Sequence, residues 1–244
     1  MKSFGIIVCV IMGIAGLSCA SRYASLSHAD KVSDISKITK QEFKTDLDAE
    51  KILNQYTIEF RIANPLIDPG SISNSIRRVD PSHEEQIYCK AILLDSLSTE
   101  ADILHQAMKD SLDQKSYTDF RRKYLDEQIK DGQFRIRIEM ESGFSPMSLD
   151  PKYWSIYIID AKGVMIEPLQ ITTIPVVSEQ DSIYSSSHRY KLPRNRIRGG
   201  LTLFFNRVTF FKENLFGPDN QFIALEITRE KKTLSRVAWK IKGK

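Results

Sequence analysis

Five cations, Arg189, Lys191, Arg194, Arg196 and Arg198, fall within ten residues and form the densest basic run in the chain. Guanidinium forks and ammonium groups match phosphate and carboxylate oxygens, so this run is the candidate site for an anionic surface. A solvated basic loop is the competing reading, and on charge alone it is the preferred one. Two carboxylates come next. Glu139 and Glu141 stand two residues apart in an alternating stretch, about 7 Å from each other on one strand face, a spacing that acid/base chemistry can use. Their neighbours Arg135 and Arg137 favour a solvent-facing side of a strand instead. His28, His83, His105 and His188 are scattered, and none pairs with a Cys or another His at metal-ligand spacing. No Gly-rich phosphate loop and no Gly-x-Ser-x-Gly elbow is present. The expectation is therefore no metal, no cofactor and no catalytic set.

A second group carries apolar rather than polar chemistry. Phe204, Phe205, Phe210, Phe211 and Phe216 can line a ligand groove or fill a core, and core is preferred because alternate residues of a strand face inward. Phe204, Phe222 and Ala224 then make the opposite face partly apolar, which calls for cover by helices or by a partner.

Cysteine usage points to an address. Met1 to Cys19 has one early cation, Lys2, an apolar run from Phe4 to Leu17, and small residues before Cys19. That is the build of a secretory signal. An uncleaved anchor is the alternative, but the run is shorter than the ~20 apolar residues that a membrane span needs. Gly16-Leu17-Ser18-Cys19 resembles the lipobox of bacterial lipoproteins. The resemblance covers residues 1–19. It implies cleavage before Cys19 by a dedicated peptidase, diacylglycerol on the Cys19 thiol, and attachment to a membrane. With Ala20 and Ser21 after the cysteine, it favours the outer membrane if the cell is diderm. Lipopolysaccharide phosphates then join lipid headgroups as anions that the basic run can meet. Cys9 leaves with the signal and Cys19 is lipidated, so Cys89 has no partner in the mature chain and is expected to be buried.

Composition sets further limits. The chain has 41% hydrophobic and 27% charged residues, as an ordinary globular domain has, and not a disordered one. Its charge is 35 − 31 = +4 with the signs interleaved, which implies no nucleic acid partner. The boundaries read as a signal peptide over 1–18, a lipidated Cys and coil tether over 19–45, and one domain over 46–244. Treated as a flexible coil, the tether reaches roughly 25 to 30 Å, with a weak helix as its alternative.

The elements that must position these residues follow from periodicity. Tyr56, Ile58, Phe60 and Ile62 alternate with polar residues and predict a strand, as do Phe134, Ile136, Ile138 and Met140. Ile87 to Leu94 fits a strand or a helix starting at Asp80-Pro81, and the strand is preferred. Residues 99–130 read as helical, with starts at Thr99 (Asp102 in the capping-box place) and at Ser116 (Asp119), and an end at Asp131-Gly132. Tyr153 to Ile159 predicts a strand that turns at Asp160 to Gly163 and returns over Val164 to Ile174, broken at Pro168. Val176 to Ser187 reads as loop, Tyr190 to Leu192 as at most a short strand, and Leu201 to Phe211 as a long one. Two further strands carry Ile223, Leu225 and Ile227, then Val237, Trp239 and Ile241.

Such strands without βαβ alternation predict a mainly β fold, an antiparallel β-sandwich of immunoglobulin-like kind with a helical insertion around residues 99–130. The function expected from sequence is a non-enzymatic, membrane-anchored envelope lipoprotein that binds or scaffolds an envelope protein or anionic lipid. An envelope hydrolase using loop carboxylates is the alternative.

Overall fold

The computed structural model describes residues 26–38, 44–63, 86–128, 132–142, 149–181, 194–230 and 232–241. It is mainly β. Ten strands are described: β1 (Lys31–Asp34), β2 (Thr57–Ala63), β3 (Gln86–Leu94), β4 (Gln133–Ser142), β5 (Ser155–Asp160), β6 (Met165–Ile166), β7 (Gln170–Asp181), β8 (Arg194–Asn206), β9 (Phe222–Arg229) and β10 (Lys232–Lys240). Three α-helices join them, α1 (Asp46–Gln55), α2 (Ser96–Lys109) and α3 (Gln114–Gln128).

The strands form two five-stranded sheets, β1-β10-β9-β5-β6 and β2-β3-β4-β8-β7. All pairings are antiparallel except β1 with β10, which run parallel. The two sheets supply one core. Strand alternation sends Ile58, Phe60 and Ile62 from β2, Cys89, Ala91 and Leu93 from β3, and Phe134, Ile136 and Ile138 from β4 into the same cluster as Ile223, Leu225, Val237 and Trp239. Register stacks them in rows, such as Ile58, Ala91, Ile138 and Leu201 across four strands. Trp239 is fully buried, and its Nε1 donates to the Tyr56 carbonyl oxygen at 2.8 Å, one polar tie from the first sheet to the chain entering β2. Cys89 is buried, as expected, has no disulfide partner among the described residues, and burial pushes its thiol pKa up.

Several expectations change. The coil predicted from Ala20 to about Glu42 does not hold over 26–38: a 3-10 turn at Leu26–His28 leads into β1, and Ile35 is buried in the core. Four residues of Lys-Val-Ser-Asp have no alternation to read. Their strand is imposed by the free edge of β10. α1 follows, with Thr45 as its N-cap accepting from the Asp48 amide and Ala49, Ile52 and Leu53 buried. α2 begins before Thr99. Asp95 caps it, in a capping box with Ser98, because the chain leaves β3 directly into the helix. α3 starts before Ser116, whose amide donates to Asp113 Oδ1. Ile87 to Leu94 is a strand, and Gly132, at φ 79°, stands where the helical stretch was predicted to end.

The break predicted at Pro168 is a change of sheet, since β6 pairs with β5 and β7 with β8. β7 continues through Val176, Val177 and on to Asp181, where a loop was expected, with a register shift around Pro175. A proline has no amide to give the ladder, and a bulge on this edge strand absorbs it.

Candidate functional site

The basic run is a strand and not a loop over its described part. Arg194 to Arg198 open β8, which lies between β7 and β4. Register sets Arg194 opposite Asp181, Arg196 opposite Glu179, and Arg198 opposite both Val177 and Glu141. Directly opposite residues of a ladder share a face, so each of these cations has an acid as its cross-strand neighbour. For Arg198 the pair is explicit: its Nε lies 3.3 Å from Glu141 Oε2, with both side chains part-exposed. Arg189, Lys191 and Cys19 lie outside the described residues. Only backbone pairing, which brings acids from distant stretches, could reveal this balance.

Glu139 and Glu141 do share a face of β4, and each is held by cations. Glu139 lies 3.9 Å from Lys90 Nζ and 3.4 Å from Arg137 Nε. The side they share is not all solvent, however. α2 and α3 lie over Arg135 and Arg137, leaving Arg135 only 3% exposed. Arg137 grips Asp102 through two bonds of 2.8 and 2.9 Å, and Tyr124 Oη (2.6 Å) and Gln106 Nε2 (2.9 Å) donate to the same carboxylate. Burial would raise the Asp102 pKa, but the Arg137 charge and these donors outweigh it and hold the carboxyl below its ordinary value. Asp102 thus pins the helices to the sheet.

A cleft of about 250 Å³ opens beside this network, lined in part by Asp95, Glu100, Phe134, Arg135 and Arg207. Its carboxylates, Asp95 and Glu100, are both engaged. Asp95 caps α2 and accepts from Tyr56 Oη at 3.2 Å, while Glu100 is clamped by Arg121 through Nε and a second guanidinium nitrogen. His105 contacts Asp46 across α2 and α1. Among the described residues, no three His, Cys, Asp or Glu side chains converge as a metal site.

The aromatic group splits. Phe205 is fully buried and stacks on Phe134 at 5.5 Å, and Phe216 meets Phe134 edge-on at 5.0 Å. Phe210 and Phe211, expected in the core, are 95% and 66% exposed. β8 ends at Asn206, so neither belongs to it. Val208 bridges Asn214, the Thr209 amide donates to the Glu213 carbonyl at 2.8 Å, and the Lys212 amide donates to the Thr209 carbonyl at 2.9 Å. This is a small hairpin whose corner is Phe210-Phe211, closed by Lys212 at a left-handed φ of 61°. Corners normally carry Gly, Asn, Asp or Pro. The two rings touch only edge to face, 5.6 Å apart. Here the sequence signal was present but misread. Asn206-Arg207 interrupts the apolar residues of Leu201 to Phe211.

Sheet cover also differs from expectation. Phe222 and Ala224 are covered not by the helices but by Leu26, Ala29, Tyr157 and Ala161. Among the described residues no helix is long and apolar enough to cross a membrane. Comparison with known proteins adds no relative: no family model, no curated protein and no solved structure matches this chain.

Proposed function

We propose that the chain is a lipid-anchored bacterial envelope protein, held by a diacylglycerol-bearing Cys19, whose folded part is a non-enzymatic, immunoglobulin-like β-sandwich that binds or scaffolds another envelope component. In a diderm cell, Ala20 and Ser21 favour the outer membrane. The sandwich reading is supported by two sheets sharing one core, and by a chain that changes sheet after β1, β4, β6 and β8, the kind of crossing a Greek-key sandwich uses.

One observation carries the anchored reading. Cys19, at the end of the apolar run, is followed only seven positions later by Leu26, which already packs against the cluster of Ile159, Phe222, Ala224 and Ala238. An anchor at Cys19 therefore holds the domain within about 25 Å of the bilayer, the full extension of seven residues. The carboxylates in view support binding over hydrolysis, because Asp95, Asp102 and Glu100 are committed to a helix cap and two guanidinium clamps. Radiolabelled palmitate fed to cells should label the wild-type chain and not Cys19→Ala. Equal labelling of the two would remove the anchor from this reading.

A further inference from the structure

The Phe210-Phe211 corner is placed where a membrane contact would have to be. Leu26, Ala29 and Ala161 all pack against one cluster, Ile159, Phe222, Ala224 and Ala238, and Lys162, next to Ala161, pairs through Nζ with Glu213, in the hairpin that carries the two rings. The Ala161 amide also donates to Asn220 Oδ1 at 2.8 Å, tying the same turn to the far side of the 207–221 connection. The segment that precedes β1 and the turn bound to the hairpin thus both adjoin this cluster, at the end of the sheet where β5 stops and β9 begins. That end is rigid as well as close. The Leu215 amide donates to the Arg207 carbonyl, and Leu215 and Phe216 plug into the core beneath the hairpin.

We infer that Phe210 and Phe211 are a membrane-contact element, inserting at the headgroup boundary of the bilayer to which the chain is anchored. The inference rests on the anchored reading, because seven residues of reach from Cys19 are what bring this end to the surface. Three features agree with a bilayer as the occupant. Both rings project from a turn whose geometry calls for neither of them. Lys212, exposed and next in sequence, suits anionic headgroups, while the acidic Glu213 is met by Lys162. Met165, in β6, and Leu169, just before β7, are 60% and 55% exposed, so apolar surface is not confined to the corner. Tethering alone leaves a domain free to tumble about its linker. A second contact through two aromatic side chains fixes which end faces the lipid.

The test uses the full chain, extracted from membranes in mild detergent and reconstituted into phosphatidylglycerol-containing vesicles with and without brominated acyl chains. Phe211→Trp adds an indole at the corner, whereas native Trp154 and Trp239 are buried and serve as an internal background. The added emission should fall by roughly half or more in brominated vesicles, as for an aromatic ring at the interface. Phe210→Ser in the Phe211→Trp chain should lose most of that quenching without a change in melting temperature. Absence of extra quenching overturns the inference, including the case in which the corner crosslinks to a protein instead. Palmitate labelling of the same preparation reads the anchor separately. A labelled, unquenched chain rejects the corner alone, and an unlabelled, quenched one rejects the anchor while the corner stands.

Discussion

The two ends of β8 invert what their residue types suggest. Its first residues are the cations that sequence singles out as a surface for anions, yet each of Arg194, Arg196 and Arg198 faces an acid in register. Past its other end stand two phenylalanines that sequence assigns to the core, yet they are the most exposed large apolar pair described. Arg198 and Asn206 are separated by about 26 Å along the strand, so one flat surface facing the corner does not also face the basic end. The difference is one of context. Charge is judged by what lies opposite it, and an aromatic residue by whether its segment is strand or turn. Neither is a property of the residue alone.

The contrast depends on the corner end being rigid, and the largest expected effects come from breaking that rigidity. Trp239→Ala removes the largest fully buried side chain and its bond to the Tyr56 carbonyl, and should cost about 3 to 5 kcal/mol in urea unfolding. A loss below about 1 kcal/mol would show that this end does not depend on its core.

Asp102→Asn comes next. It leaves the Arg137 guanidinium under α2 without its counter-charge, and about 3 kcal/mol should be lost, somewhat less than for a wholly buried pair because Arg137 is 20% exposed. The pH dependence has a definite sign. The folded-state pKa of Asp102 lies below its ordinary 3.8, so its contribution is present above about pH 4 and fades as pH falls through the folded value. Wild type should lose stability in that acid range, and Asp102→Asn should lose correspondingly less. Parallel pH curves for the two proteins would assign the acid sensitivity to other carboxylates.

Much of the sheet was legible. Alternation in Ile58 to Ile62, Phe134 to Met140 and Ile223 to Ile227 reported the buried face, because one side of each strand meets a single core. The failures share a cause. β1 and the distal part of β7 are strands because an edge was available to pair with, and nothing local in Lys-Val-Ser-Asp or Val-Val-Ser-Glu announces it. Arg135 and Arg137 alternate as a solvent face would, but the α2 and α3 pair folds over them, and Asp102, read as a helix-capping residue, is the counter-charge of Arg137. The Phe corner was missed for a different reason. The β-propensity of Val208 to Phe211 matched a strand, and the bonds that close the hairpin involve Thr209, Lys212 and Glu213, none of which is a strong turn marker.

The smallest expected effect probes the basic end. Replacing Arg194, Arg196 and Arg198 together by Ser removes three cations that sit opposite Asp181, Glu179 and Glu141. Cross-strand charge pairs contribute about 0.2 to 1 kcal/mol each, so stability should fall by no more than about 3 kcal/mol in total. Binding of the reconstituted or added chain to anionic vesicles should change little, because each of these positions is in register with an acid and the end lies away from the corner. If this segment instead held an anionic surface, the triple variant would bind far more weakly, and the loss would shrink as salt screened the wild-type contact, each Lys or Arg near such a surface contributing about 1 kcal/mol. That result would move the membrane contact to the opposite end of β8. A triple variant that loses quenching at an indole placed at position 211 while keeping its fold would show the two ends acting on one surface, which the present register does not allow.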